Sequence, residues 1–281
     1  MPRITIINAG FYSSIQDSGR TRYRNVGVPQ SGAMDQLAAG YGNYLLNNTP
    51  DAAVMEIILK GGTYLFSFPT RVVITGAEMY CSLNGIAIVA LNQVQEIKSG
   101  DVLTIGKLTT GNFCYLSIAG GFLTDVVLQS RSFYDRITKN SKLQSGDYIS
   151  YSEDGKYKEK STLQTQPRYY GALKCFAGPE FQWLDRIQQQ QVLEISFTVS
   201  KDWNRMAFQV VERIENQLPQ LKSSPVLPGT VQLTPSGQLI VLMRDAQVTG
   251  GYPRILQLDA ESISSLAQKR VGEKVDFIIK N

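Results

Sequence analysis

The sequence predicts a mostly β fold with a few helices, arranged as two β-barrel-like lobes, and three observations carry that expectation. Short runs rich in Val, Ile, Thr, Tyr and Phe recur along the chain, each bounded by Gly, Asn or Asp. Two Gly-Asp phrases, Lys98-Ser99-Gly100-Asp101 and Leu143-Gln144-Ser145-Gly146-Asp147, each feed such a run, as where strands of a barrel or sandwich return. A chain of 281 residues is long for one core, so about two domains are expected, with a single large β domain as the alternative.

In chain order, Arg3 to Ala9, Gly62 to Phe68, Arg71 to Thr75, Ala87 to Leu91, Asn112 to Ile118 and Tyr148 to Tyr151 read as strands. Asn84-Gly85 has the composition of a two-residue hairpin turn. Met34 to Leu46 carries helical spacing, with Ser31 or Asp35 as its cap. The stretch between Ser152 and Pro167 turns polar and reads as a linker. A boundary near residue 160 divides an N-terminal lobe, 1–160, from a C-terminal lobe, 161–281. In the second lobe Val192 to Val199, Gln238 to Met243 and Lys274 to Ile279 read as strands. Phe181 to Gln190 and Asp259 to Gln268 read as helices, the latter placed as a helix that closes a barrel.

Composition narrows the chemistry. Hydrophobic residues make up 43% and charged residues 19%, so there is ample apolar material for a core. The net charge of +4 is spread along the chain, with no basic cluster interleaved with aromatics, and nucleic-acid binding is not expected. Cys81, Cys114 and Cys175 are widely spaced and lack a C-x-x-C pair; they read as small buried residues rather than nucleophiles or metal ligands. The chain contains no histidine, which excludes Ser-His-Asp and Cys-His arrangements and imidazole metal ligands within it. No metal site is expected. The N-terminus lacks a signal-peptide core and no apolar run reaches the ~18 residues of a membrane span, so a cytoplasmic, membrane-free protein is expected.

Three local motifs have the residues for a binding surface. Gln16-Asp17-Ser18-Gly19-Arg20 combines an amide, a carboxylate, a turn glycine and a guanidinium. Two readings stand: a loop presenting Arg20 to an anion, oriented by Gln16 or Asp17, or a surface loop whose Asp17 caps local amides. Ser31-Gly32-Ala33-Met34-Asp35 leads into a helix whose open amides can hold an anion, or is an ordinary cap. Thr249-Gly250-Gly251-Tyr252-Pro253-Arg254 follows Asp245; its paired glycines permit positive φ and close backbone approach, or mark a tight β turn. None of the glycine groups fits a phosphate loop, so ATP binding by this chain alone is not supported.

The order of these motifs resembles a known family. QDSGR, VPQSGAMD, a helix ending near Asn48, Glu56, ITGAE, YLSIAGG and Ser130-Arg131-Ser132 are followed by FAGPE, Asn204-Arg205-Met206 and LPGTVQLTPSGQLIVLMRDAQVTGGYPRI. The series is similar to the biotin-dependent carboxyltransferase and allophanate hydrolase subunit 2 family, which includes the Kip antagonist and the C subunit of 5-oxoprolinase. The resemblance implies a C-terminal lobe that is cyclophilin-like and partners of two kinds, a B-subunit-like (Kip inhibitor-like) protein and an A-subunit-like protein. It also implies a small-molecule amide or lactam substrate and ATP used by the complex. Biotin, if used, would sit on another chain, since no Met-Lys-Met signal occurs here. Two other roles within the family are a regulatory binding protein of the Kip antagonist type and a carboxyltransferase component.

By matching motifs the resemblance marks Arg205, Asp245, Asp17 and Arg20 as catalytic positions, and Gln16, Asp35, Gly250, Gly251 and Tyr252 as substrate-binding ones. Arg205 would stabilise a developing oxyanion or carboxylate, with Asp245 orienting it. The chain departs from the family pattern at Ala207 and Gln209, the latter replacing an expected arginine. It also lacks the glycine-rich stretch after Ser132, and Asn47 replaces a usual glycine.

Overall fold

The computed structural model describes residues 1–88, 91–152, 165–169 and 171–280. The chain divides into two compact units, Met1–Arg20 with Ser31–Pro167, and Thr21–Gln30 with Arg168–Asn281. The boundary near 160, and most of the polar stretch around it, lie outside the described residues. No helix is long and apolar enough to cross a membrane among the described residues.

The first unit contains β1 (Arg3–Asn8), β2 (Tyr12–Gln16), α1 (Gln36–Leu45), β3 (Val54–Ile58), β4 (Thr63–Phe66), β5 (Thr70–Gly76) and β6 (Met79–Leu83). It continues with β7 (Ile86–Ile88), β8 (Gln95–Ile97), β9 (Val102–Leu108), β10 (Phe113–Ile118) and β11 (Tyr148–Ser150). These strands make two sheets, ordered β11-β1-β4-β9-β6-β7 and β2-β3-β10-β5-β8. One apolar cluster joins them, with Ile6, Phe66 and Ile105 from the first sheet and Ile15, Ile57 and Leu116 from the second. Each such side chain contributes about 1.5–3 kcal/mol relative to leaving it in water. Strands β3 and β10 are buried at every position, which requires cover on both faces. Helix α1 packs on β5 and β10, where Thr75 Oγ1 donates to the Ala38 carbonyl at 2.7 Å.

The turn chemistry read from the sequence is present. Asn84 and Gly85 have φ of 54° and 79°, as a two-residue hairpin between β6 and β7 requires. The two Gly-Asp turns are alike: Asp101 accepts from the Lys98 N–H at 2.7 Å and Asp147 from the Gln144 N–H at 2.8 Å.

The second unit contains β12 (Leu173–Ala177), α2 (Arg186–Glu194), β13 (Phe197–Trp203), β14 (Ala207–Arg213), β15 (Ser224–Pro225) and β16 (Thr230–Leu233). Then come β17 (Gln238–Leu242), β18 (Thr249–Gly250), β19 (Arg254–Leu258), α3 (Ala260–Ala267), β20 (Lys274–Val275) and β21 (Phe277–Ile279). Eight strands form one sheet in the order β20-β13-β14-β17-β16-β19-β12-β21. Its two edges are parts of a single segment interrupted only at Asp276: β20 pairs with β13 and β21 with β12. The sheet therefore curls into a nearly closed barrel, which leaves little unpaired edge. Phe208, Val210, Leu239 and Val241 are buried alternately along β14 and β17, the period of a strand with one face inward. Helix α3 lies against β12, and Ser262 Oγ accepts from the Lys174 N–H at 2.7 Å.

The helix boundaries differ from the sequence expectation in ways that caps explain. Asp35, not Ser31, caps α1 by accepting from the Ala38 N–H, so the helix starts at Gln36. The expected helix Phe181 to Gln190 splits into a 3-10 turn, Phe181–Trp183, and α2, because Leu184 is extended and Asp185 starts a capping box with Gln188. Helix α2 then runs through Glu194, and the strand expected from Val192 begins only at Phe197. The three cysteines are buried, and burial pushes the thiols up, Cys81 to about 12 and Cys175 to about 11. They are the small apolar residues the sequence indicated.

Candidate functional site

The second unit brings the Asn204-Arg205-Met206 and Met243-Arg244-Asp245-Ala246 motifs together. Asn204 Oδ1 accepts from the N–H groups of Met206 and Ala207 at 2.8 and 3.1 Å, an Asx turn between β13 and β14. The turn is locked to the loop after β17 by Met243 N–H to the Met206 carbonyl and Asp245 N–H to the Arg205 carbonyl. Arg205 then reaches Asp245 through two parallel bonds, Nε to Oδ2 at 2.8 Å and Nη2 to Oδ1 at 2.9 Å. A fork-to-fork pair of this kind fixes direction as well as charge.

Beside this pair lies a cavity of about 540 Å³, lined by Asn204 and Met206 from the turn, by Gln209 of β14, Gln232 of β16, and by Gln247 and Tyr252. Arg205 and Asp245 are not among the lining residues; they hold the wall that Asn204 and Met206 present. Gln209, which stands where the family pattern has arginine, does line it.

The Thr249 to Arg254 loop works differently from one sequence reading. Neither Gly250 nor Gly251 has a positive φ, so left-handed backbone is not why glycines stand here. Thr249 and Gly250 form β18, paired with β15. Space is the reason at Gly250, where a Cβ would come within 2.5 Å of Gln232 Nε2. That nitrogen donates to the Tyr252 carbonyl at 3.2 Å. Arg254 is gripped by Glu180 of the FAGPE motif, with Nε to Oε2 at 2.9 Å and Nη2 to Oε1 at 2.7 Å. These bonds from Arg254 hold the Glu180 carboxyl below the usual carboxylate range despite the burial that opposes it, and they raise Arg254 in turn. Gly178 allows the approach, since a Cβ there would collide with the Arg254 carbonyl oxygen.

In the first unit, Asp17 is the centre of a loop clamp. Its Oδ1 accepts from Gly19 N–H at 2.8 Å and from the Ser130 and Ser132 hydroxyls, both at 2.6 Å; its Oδ2 accepts from Arg131 N–H at 2.6 Å. Arg20 is 1% exposed and grips the same segment, donating to the Ser132 carbonyl at 2.5 Å, the Val127 carbonyl at 3.1 Å and Ser31 Oγ at 3.3 Å. Asp17 and Arg20 thus both bond to the segment from Val127 to Ser132. Gln16 Nε2 donates to Ser14 Oγ and the Phe133 carbonyl. Asp35 caps α1, and its own N–H donates to Tyr115 Oη at 2.7 Å, which donates on to Glu56 at 3.0 Å. Burial, then the neighbouring Glu56 and Asp35 charges, push the Tyr115 hydroxyl well up, so it stays a neutral donor.

The two groups of marked residues lie in different units: Gln16, Asp17, Arg20 and Asp35 in the first, Arg205, Asp245, Gly250, Gly251 and Tyr252 in the second. Sequence reasoning missed Gln232 and Gln247. The available signal was faint, one glutamine in the short buried strand β16 and another two residues after Asp245.

A family model for the carboxyltransferase domain, subdomain A and B, matches residues 26–279. The chain is 30% identical to the C subunit of 5-oxoprolinase from Escherichia coli (strain K12), covering 98% of this chain and 90% of that protein. The Haemophilus influenzae protein of the same name is likewise 30% identical over 98% of the chain and 90% of its own length. Urea amidolyase of Saccharomyces cerevisiae is 38% identical over 132 residues, 47% of this chain and 7% of that protein. Among solved structures, the K. lactis urea amidolyase superimposes with a TM-score of 0.88 at 22% identity, over 99% of this chain and 19% of its own. The crystal structure of TTHA0988 gives 0.87 at 23% identity over 99% of this chain, which spans only 55% of that one. At these identities the superpositions establish the fold alone.

Proposed function

The chain belongs to the carboxyltransferase domain family, subdomains A and B, and from that premise we propose that it is a subunit of an ATP-dependent, lactam-opening hydrolase of the 5-oxoprolinase type. The observation that carries this reading is similarity along nearly the full length of both proteins, 98% of this chain and 90% of the C subunit of 5-oxoprolinase. In this reading the chain acts with a B-like and an A-like partner in the cytoplasm, opens 5-oxoproline to glutamate, and leaves ATP to a partner chain. The absence of histidine accords with that division, because proton transfer then falls to Asp, Glu, Lys, Tyr or water here, or to groups on the partners.

The urea amidolyase similarity favours a second reading, a carboxyltransferase component that receives carboxybiotin from another chain. It rests on 47% of the chain, and the first reading on twice that span.

Co-expression with the B-like and A-like partners tests the choice. The expected result is 5-oxoproline-dependent ATP hydrolysis that requires this chain and falls by about 10²-fold or more in Arg205→Ala, the scale of losing an organising group at a reacting centre. Carboxybiotin-dependent transfer to urea, without lactam turnover, would establish the second reading instead. A stable complex that turns over neither substrate would refute both.

A further inference from the structure

The two sheets of the first unit have four edges, and three of them are guarded. Strand β2 is covered by a returning loop, whose Phe133 and Leu143 N–H groups donate to the Ile15 and Ser13 carbonyls. Strand β11 is covered by the Phe122–Tyr151 bridge and by the Leu123 N–H, which donates to the Ser150 carbonyl. Strand β8 carries the exposed charge of Glu96. The fourth edge, β7, has neither device. No strand pairs with its outer side among the described residues, and the sequence holds no charged residue from Met79 to Gln95. Proteins blunt an open edge with charge, proline or cover, so an unguarded one calls for an occupant.

The register fixes what this edge offers. Leu83 stands opposite Ile86, Ser82 opposite Ala87 and Cys81 opposite Ile88. Residues flanking a two-residue turn exchange both backbone bonds, and the next pair exchanges none. On the other side of β6 the alternation is consistent, since the Asn84 N–H donates to the Val102 carbonyl at 2.8 Å. Ile86 and Ile88 therefore turn their N–H and C=O groups toward β6, and Ala87 turns both outward. The Asn84 side chain ties the turn to the start of β9, bonded to Asp101 Oδ1 and to the Val102 N–H, each at 2.8 Å. Leu83 and Ile88 pack on the core of the unit. Ile86 lies on the same face by the period of the strand, yet it is 72% exposed. The core is open at this edge.

We propose that β7 pairs antiparallel with β7 of a second copy of this chain, about a two-fold axis beside Ala87. Ile86-Ala87-Ile88 reads the same in both directions, the self-complementarity that an isologous contact requires. Ala87 and the partner's Ala87 exchange two N–H···O bonds, using the groups each edge turns outward. Each Ile86 then lies opposite the partner's Ile88, which covers its exposed surface and joins the two cores. A neutral edge meets its own copy without like-charge repulsion. The contact consumes both edges, so assembly stops at two.

Sedimentation of the full chain over a wide concentration series, with hydrogen exchange at the Ala87 amide, tests it. The chain forms a dimer and no larger species, and exchange at Ala87 slows as the dimer fills. Ala87→Pro removes an N–H that the monomer does not use, a change that edge positions tolerate. It weakens association by at least about tenfold, the scale of two lost hydrogen bonds. Ile86→Lys sets a charge against the partner's Ile88 and weakens association similarly, while Tm at low concentration stays that of the wild-type monomer. A monomer at every concentration, open-ended aggregation, or an unweakened dimer in a folded Ile86→Lys would overturn the proposal. Association that appears only when a different protein is added, and that protects the Ala87 amide, would overturn it too, by giving the edge another occupant.

Discussion

Arg205 and Asp245 are joined at two levels, by a bidentate side-chain pair and by the Asp245 N–H donating to the Arg205 carbonyl at 2.9 Å. Their side chains are only 8% and 16% exposed. Removing one partner of such a pair strands the other charge, and the cost is about 3–5 kcal/mol. Arg205→Ala and Asp245→Ala should therefore each lower stability by about 3 kcal/mol in urea unfolding. The double variant should fall well short of the sum. Additive losses would mean the two residues act separately.

The Asp17 carboxylate accepts four hydrogen bonds, three of them from Ser130, Arg131 and Ser132, more than 110 residues along the chain. Asp17→Asn keeps the shape but turns one acceptor into a donor facing donors. The expected loss is about 2 kcal/mol, concentrated in the Ser130 to Ser132 segment. Amide exchange at Arg131 and Ser132 should quicken while β9 stays protected. Unchanged exchange there would refute the clamp.

That clamp also marks the limit of what the sequence made legible. Asn84-Gly85, the two Gly-Asp turns and the helix expected from Asp259 could be read from the sequence because their causes lie within a few residues. The strand rhythm exposed the mostly β fold for the same reason. The partners of Asp17 could not be read, since they are set by how the loop after β10 returns to β2. Residues 21–30 join the second unit against the order of the chain, which no local pattern encodes. The paired glycines suggest backbone freedom at Gly250, yet the structure uses its missing side chain, because Gln232 occupies that space. Asn47, in place of the family's usual glycine, keeps a φ of 58°, a conformation asparagine tolerates. The cavity amides carried no motif, because neutral glutamines on separate strands acquire meaning only when the barrel brings them together.

The Glu180–Arg254 pair predicts an acid dependence. Arg254 holds the folded-state pKa of Glu180 below its ordinary value of 4.5. A depressed carboxylate contributes stability that is complete above its unfolded pKa and is lost as pH falls through the folded one. Wild-type Tm should thus decline below about pH 4.5. Glu180→Gln should begin with a lower Tm at neutral pH and show a shallower decline. Parallel curves for the two proteins would show that Glu180 contributes no linkage.

Two glycines in α1 separate propensity from packing. Gly40 and Gly42 both occupy the helix interior, where alanine is favoured by about 0.5–1 kcal/mol. A Cβ at Gly40 meets nothing within 4 Å, whereas one at Gly42 would collide with Ser117 Oγ on β10. Gly40→Ala should raise stability by about 0.5–1 kcal/mol. Gly42→Ala should lower it by about 1–3 kcal/mol, the range for overpacking. Propensity alone predicts the same sign for both, so opposite shifts in Tm identify the contact. Adding Ser117→Ala to Gly42→Ala removes the obstructing oxygen and should recover much of the loss. If it recovers none, the close packing of α1 on β10 is not what requires glycine at this position.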